Sequence, residues 1–293
     1  AITTFGEGIL LLNEEAKALR ILNRDTGLLD DVGFDLALDG EGGLWIGFNT
    51  GLARVQVTGG ASVYDEQNGP PPGTVDCWGR FGGQLYAGCF DGLYQLVNAD
   101  FETGKSAYFK QLAHNVRSVF FIREYHGERL FTATGGLYRL ENDLSSGEER
   151  VVPLLDLGNN LPFKAAFSKR SPGTLYMATA KGFAVGRKTN GEWELLENKT
   201  GLGDMHIIVE TADGTIWMGS YSTGIWRVDP PANGDWRNAQ YTQFKRGDGL
   251  PEDIIWAAVY EDTEGPYFFT DKGARRFDSQ RGIFVQDTHY KIP

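Results

Sequence analysis

Seven copies of one short pattern run along this chain, and no other feature limits its fold so severely. Leu44-Trp45-Ile46-Gly47 leads to Gly51-Leu52-Ala53-Arg54-Val55, and Leu85-Tyr86-Ala87-Gly88 leads to Gly92-Leu93-Tyr94-Gln95-Leu96. Leu130-Phe131-Thr132-Ala133, Leu175-Tyr176-Met177-Ala178, Ile216-Trp217-Met218-Gly219 and Tyr267-Phe268-Phe269-Thr270 are each followed by the same kind of glycine-led block. A further copy opens the chain, with Gly8-Ile9-Leu10-Leu11-Leu12 after a short run from Ile2 to Phe5. The glycine that starts each second block falls at 8, 51, 92, 136, 182, 224 and 273, so the spacing stays between 41 and 49 residues. A period of forty-odd residues is that of a four-stranded propeller blade. Helical solenoids of similar period do not fit, because the apolar residues alternate or run in short blocks rather than at 3.6 spacing.

Composition agrees with that reading. Glycine accounts for 39 of 293 residues, roughly twice the usual ~7%, and aromatic residues for another 13%. Many turns and many ring side chains suit an all-β protein of short strands. Asp and Glu total 39 against 28 Lys and Arg, a net charge of −11. A nucleic-acid binder needs a basic stripe to neutralise phosphates, so nucleic acid is excluded as a partner. No apolar run approaches the ~20 residues that a membrane-spanning helix needs. Ala1 to Gly6 carry no leader pattern, which leaves location open on sequence grounds alone.

Each unit parses into four strands. In the second copy an inner strand (32–39) turns at Gly40-Glu41-Gly42, strand B (43–48) carries Trp45, strand C covers 52–57, and an outer strand covers 61–65. The recurring ring of strand B, at Trp45, Tyr86, Phe131, Tyr176, Trp217 and Tyr267, is expected to be pressed between neighbouring sheets as core. The fold expectation is therefore an all-β, seven-bladed β-propeller of four-stranded antiparallel blades, a single domain over 1–293. Its blades run 1–27, 28–68, 69–112, 113–158, 159–200, 201–247 and 248–293. The first lacks an obvious inner strand; the expectation is either that the last six residues, Thr288 to Pro293, supply it and close the ring, or that the natural protein continues and this is an excised piece of it.

The repeat resembles the two-component-regulator propeller repeat. It reads Asp-Gly-x-Gly-Gly-Leu-Trp-Ile-Gly-x-x-x-Gly-Leu in the second copy, with a later Asp-Gly-Leu-Pro clearest at Asp248-Gly249-Leu250-Pro251. That element echoes at Asp25-Thr26-Gly27-Leu28, Asn160-Leu161-Pro162 and Thr200-Gly201-Leu202. The resemblance covers essentially the whole chain. It implies the extracytoplasmic sensor propeller of bacterial hybrid histidine kinases and related receptors, hence a periplasmic or extracellular location. Such propellers often answer to polysaccharide breakdown products and feed downstream domains, through which a protein partner or dimer is expected. The motif residues are those that build blades, so they do not name a ligand.

Ligand sites on a propeller belong where the inner strands begin and the B–C turns crowd one face, since loops on a rigid scaffold carry function. The loops expected there contribute Asp30, Asp31, Asp76, Asn115, Arg117, Lys164, Asp204, His206, Glu252, Asp253 and Trp256, and the B–C tips add Phe90 and Tyr221. The ligand-binding set expected at the channel mouth is Asp31, Arg117, Lys164, His206, Tyr221, Glu252 and Trp256. Mixed charge and exposed rings favour a neutral or weakly charged polar ligand such as an oligosaccharide. No cofactor is implied. Asp and Asn in such loops ordinarily make side-chain-to-backbone turns, and a Ca²⁺ held across the channel by several carboxylates is the alternative. The four histidines show no metal-ligand spacing, so no zinc site is expected.

The chain carries no nucleophile elbow, phosphate-binding loop or dinucleotide fingerprint, and no catalytic residue is assigned. Cys77 and Cys89 flank a Gly82-Gly83 turn. A two-residue turn pairs Cys77 with Gly88 and points the thiols to opposite faces, whereas a three-residue loop would bring them together; free thiols are the expectation. Trp236, in a long C–D connection, is expected to pack its loop rather than anchor a partner. The leading function is a non-catalytic ligand-binding sensor propeller. The alternatives are a propeller enzyme, as a metal-assisted hydrolase or lyase on a carbohydrate or lactone, and a protein-interaction platform.

Overall fold

A computed structural model describes residues 1–4, 6–12, 18–56, 61–64, 69–70, 74–97, 107–113, 116–142, 149–251, 257–262, 265–270 and 272–287. Seven sheets follow one another along the chain, and they are the blades of a β-propeller. Blade 1 has three described strands, Ile2–Thr3, Ile9–Leu12 and Ala18–Leu22. The other six are four-stranded and meander in sequence order. Blade 2, for example, comprises Gly33–Leu38, Gly43–Phe48, Gly51–Gln56 and Ala61–Tyr64. Blade 5 comprises Pro162–Phe167, Thr174–Thr179, Gly182–Thr189 and Glu192–Thr200. Blade 6 comprises Met205–Glu210, Ile216–Ser220, Ile225–Asp229 and Gln240–Phe244. The only helical elements among the described residues are three single 3₁₀ turns, and no helix is long and apolar enough to cross a membrane. Thr288 to Pro293, expected to close the ring, lie outside the described residues.

The chain divides into two compact units, 1–153 and 154–293. In both, the repeated ring of the second strand is core. Trp45, Tyr86, Phe131, Tyr176, Trp217 and Tyr267 are all at most 3% exposed. In the first unit these rings fill the layers between successive blades: Trp45 packs with Leu85, Ala87 and Tyr94, and Tyr86 with Val119, Ile122 and Phe131. In the second unit Trp217 lies within 6.1 Å, centroid to centroid, of Phe244, Phe268, Phe277 and Phe284.

The small residue that follows two places after the ring has a packing reason. A Cβ added to Gly88 would sit 2.7 Å from the Val119 carbonyl oxygen and 2.6 Å from Cys77 Sγ. The next blade passes too close for any side chain. A polar clamp ties the first turn of blade 2 to its core. Asp39 Oδ2 accepts from Trp45 Nε1 at 3.0 Å and Arg54 Nε at 2.6 Å, while Oδ1 accepts from the Glu41 and Gly43 amides. Burial alone would raise the Asp39 pKa, but those donors, Arg54 foremost, hold it far below the usual carboxylate range.

The Asp-Gly-Leu-Pro element also has a physical meaning. Arg246–Asp248 form a 3₁₀ turn that ends at Gly249 in the left-handed region (φ 86°), which drops Leu250 into the core at 5% exposure. A side chain at Gly249 would collide with the Phe284 carbonyl oxygen, so only glycine fits there. Arg24–Thr26, Gly27 and buried Leu28 repeat the device in the first unit. The Gly82-Gly83 turn has two residues, with φ of 53° and 83°, pairing Phe81 with Gln84 and Cys77 with Gly88. Both thiols are free and buried.

Candidate functional site

The first strands of blades 2, 3, 5 and 6 share an irregularity that the sequence does not announce. In each, the ladder to the second strand skips one residue, so that a bulge falls at Phe34, Asp76, Phe163 and His206. A bulged residue leaves the ladder and its side chain is re-aimed, which is why bulges recur beside functional sites. The position is the same in all four blades, three residues before the partner of the buried ring. Blade 4 shows no such skip: its ladder runs in register from Phe121 to Tyr125, and Val119 takes the place of Val75, its carbonyl lying against Gly88 as that of Val75 lies against Gly47.

In the second unit two of these lifted residues meet. The Phe163 and His206 rings stack at 4.3 Å and 13°. Tyr221, from the turn between the second and third strands of blade 6, covers the other imidazole face at 3.8 Å and 37°. His206 Nε2 lies 3.3 Å from Asp204 Oδ2. The other oxygen of Asp204 accepts from the hydroxyls of Ser220 (3.0 Å) and Ser222. Ser220, itself 1% exposed, also accepts from the Ser222 and Thr223 amides at 3.1 and 2.9 Å. One buried serine thus shapes the turn that carries Tyr221 and fixes the carboxylate that orients His206.

These contacts set the charge state. Burial pushes the His206 pKa below its ordinary 6.5, and the Asp204 carboxylate offsets only part of that. Burial would raise the Asp204 pKa, but the Ser222 and Ser220 hydroxyls and its own amide outweigh it and hold the group below the usual range. At neutral pH the site therefore presents a neutral imidazole between two rings, a partly exposed carboxylate, and Tyr221 at 41% exposure. Such a face can stack on a flat or ring-shaped ligand and accept hydrogen bonds from it.

Of the residues expected at the site, His206 and Tyr221 are brought into contact. Lys164 follows Phe163 on the same strand, opposite Ala178, and is half-buried. Asp31 belongs to the first unit, where its side chain accepts from the Arg24 amide at 2.7 Å and so serves its own loop. Arg117, also in the first unit, is exposed, and its carbonyl accepts from the Thr134 amide at 2.9 Å. Glu252, Trp256, Asp253 and Asn115 lie outside the described residues. Trp236 is 3% exposed and packs on Tyr176 and Phe183. Phe163 is the addition, legible only once the bulge is seen; Asp204, expected in the mouth loops, is the residue that Ser220 and Ser222 fix beside His206. Among the described residues no three His, Cys, Asp or Glu side chains converge where a metal ion would sit.

The fold has known counterparts. The extracellular domain of the hybrid two component system BT3049 of B. thetaiotaomicron matches with a TM-score of 0.57 and 17% identity, over 99% of this chain and 44% of that one. The extracellular domain of BT4673 from the same organism matches at 0.53 and 18%, over 96% and 44%. Catalytically inactive virginiamycin B lyase from Staphylococcus aureus, with quinupristin, matches at 0.58 and 15%, over 86% and 83%. These likenesses establish the propeller and no more. The chain spans less than half the length of the two extracellular domains. No protein-family model and no curated protein matches it.

Proposed function

We propose that this chain is the ligand-binding propeller of an extracytoplasmic sensor, and that it recognises a small polar ligand on the face formed by Phe163, His206 and Tyr221. The observation that carries the reading is the ring stack itself. Two bulges in adjacent blades spend ladder pairing to bring Phe163 and His206 together, and Asp204 is fixed beside them by two hydroxyls. Core packing does not require that arrangement, since the first strand of blade 4 pairs from Phe121 to Tyr125 without a skip. Support also comes from the extracellular sensor domains among the structural neighbours, which share the fold at low identity. An oligosaccharide is the ligand class that a half-exposed ring beside a carboxylate acceptor suits best.

Calorimetry against neutral and acidic oligosaccharides tests this, with wild type, Tyr221→Ala and His206→Ala. Binding that either substitution weakens by about tenfold, roughly 1.4 kcal/mol, is the expected outcome. Binding that survives both unchanged places the site elsewhere. No binding of any sugar moves the reading to a protein-interaction platform.

A second reading has one observation in its favour. A neutral histidine oriented by a carboxylate is also the arrangement of a general base, and a lyase stands among the structural neighbours. Turnover of a lactone or unsaturated-product substrate that is abolished in His206→Ala would establish it.

A further inference from the structure

We propose that the groove between blades 5 and 6 is a separate binding site for a small, flat, carboxylate-bearing ligand. The groove has a volume of about 460 Å³, within the usual range for small-molecule sites. Lys181, Thr200, Leu202, Thr223, Trp226 and Gln243 line it, with Gly201 and Gly203 between them. Its character is mostly apolar, with Leu202 and Trp226 both belonging to the inter-blade core of the second unit. Three fixed contacts shape it. Trp226 Nε1 donates to Thr223 Oγ1 at 3.1 Å, Thr223 Oγ1 donates to the Leu202 carbonyl at 3.0 Å, and Gln243 Nε2 donates to the Thr223 carbonyl at 2.8 Å. The indole is therefore held in one orientation, half-buried, with its remaining surface toward the groove.

Charge decides the ligand class. The chain as a whole carries −11, yet the groove is lined by one cation and no carboxylate. Lys181 is exposed and bonds only the neutral Asn159 side chain, with no ion pair among the described residues. It is the one charged side chain among the residues that line this mostly apolar groove. A planar ring on Trp226 with a carboxylate toward Lys181 satisfies both features. A neutral ring would leave the ammonium without its partner, and a bare anion would forgo the indole.

The site does not rest on the ring stack of Phe163, His206 and Tyr221, and its test separates the two. The probe is para-fluorobenzoate, followed by fluorine NMR on the whole chain, with para-fluorobenzyl alcohol as its neutral counterpart. Saturable binding of the acid is expected, about tenfold tighter than of the alcohol. Lys181→Met, an exposed position whose change leaves the circular dichroism spectrum and thermal midpoint intact, should abolish that preference. Trp226→Leu should weaken both probes, and His206→Ala should weaken neither. Equal affinity for acid and alcohol, an unaffected Lys181→Met, or no saturable binding of the acid would each overturn the proposal.

Discussion

Replacing Trp217 with alanine gives the most direct measure of how these blades are held together. The indole is 3% exposed and surrounded by four phenylalanine rings at 4.9 to 6.1 Å, with the Arg227 guanidinium 5.9 Å from its centroid. A large aromatic side chain buries about 150–250 Å², which at roughly 25 cal/mol per Å² is worth about 4–6 kcal/mol. The alanine methyl keeps a little of that, and inward relaxation of Phe268 and Phe244 recovers a little more. The expected loss is therefore about 3–5 kcal/mol, the range for Trp or Phe truncation in a packed core. The assay is urea unfolding followed by circular dichroism, with Tyr260→Ala as control. Tyr260 lies in the same unit but is 59% exposed, so its loss should stay within about 0.5 kcal/mol. If Trp217→Ala costs less than about 1 kcal/mol, or no more than the control, the ring is not the keystone of the layer.

Gly88→Ala must push the Val119 backbone and Cys77 apart, and a thermal melt should show a loss of about 1–3 kcal/mol, the usual cost of overpacking. Asp39 carries a depressed pKa, so its clamp stabilises the fold fully above the ordinary value of 3.8 and loses that contribution as pH falls below it. The stability gap between wild type and Asp39→Asn should accordingly be widest near neutrality and shrink below about pH 4, as unfolding midpoints across pH would record. His206 should titrate below 6.5 by proton NMR, and Tyr221→Ala, which uncovers the ring, should move it back toward that value. A ligand covering the stack buries the neutral imidazole further, so its affinity should fall as pH drops through the His206 pKa.

The blades were legible because their defining residues are packing residues. A ring wedged between sheets, a glycine under a neighbouring carbonyl and a left-handed glycine before a buried leucine each have one physical solution. They therefore recur in the sequence as nearly identical letters. Trp45 and Trp217 announce their blades for that reason, and Gly82-Gly83 announces a two-residue turn in the same way. The site was legible only in part. His206 and Tyr221 stood out by residue type, but the bulges were invisible to an alternating pattern. An unrecognised bulge shifts an expected register by one residue and reverses the face. That is why the sequence points to Lys164 while Phe163 makes the stack with His206. Asp31 reads as a site residue from its loop, but the structure uses its carboxylate to bond the Arg24 amide.

The contrast between those two kinds of position bears on how such a chain acquires specificity. At the ring of the second strand, all six clear copies are Trp, Tyr or Phe, because the layer between blades admits nothing smaller without a cavity. Three residues before its ladder partner, the lifted position holds Phe34, Asp76, Phe163 and His206, so a carboxylate and an imidazole stand where two other blades have a phenyl ring. Core residues cannot vary so widely at constant fold, since even one methylene is felt in a packed interior. The bulge removes that constraint: it uncouples the side chain from the sheet while the backbone still positions it within the blade. Selection can then change the chemistry presented there without cost to the layers beneath. Blade 4, whose first strand pairs from Phe121 to Tyr125 without a skip, has no such position on its ladder. A chain built this way keeps its stability in one set of columns of the repeat and leaves another open to change. Among the described residues of the second unit, Phe163 and His206 are two such positions from adjacent blades whose rings touch, and the proposed ligand face is built on that contact.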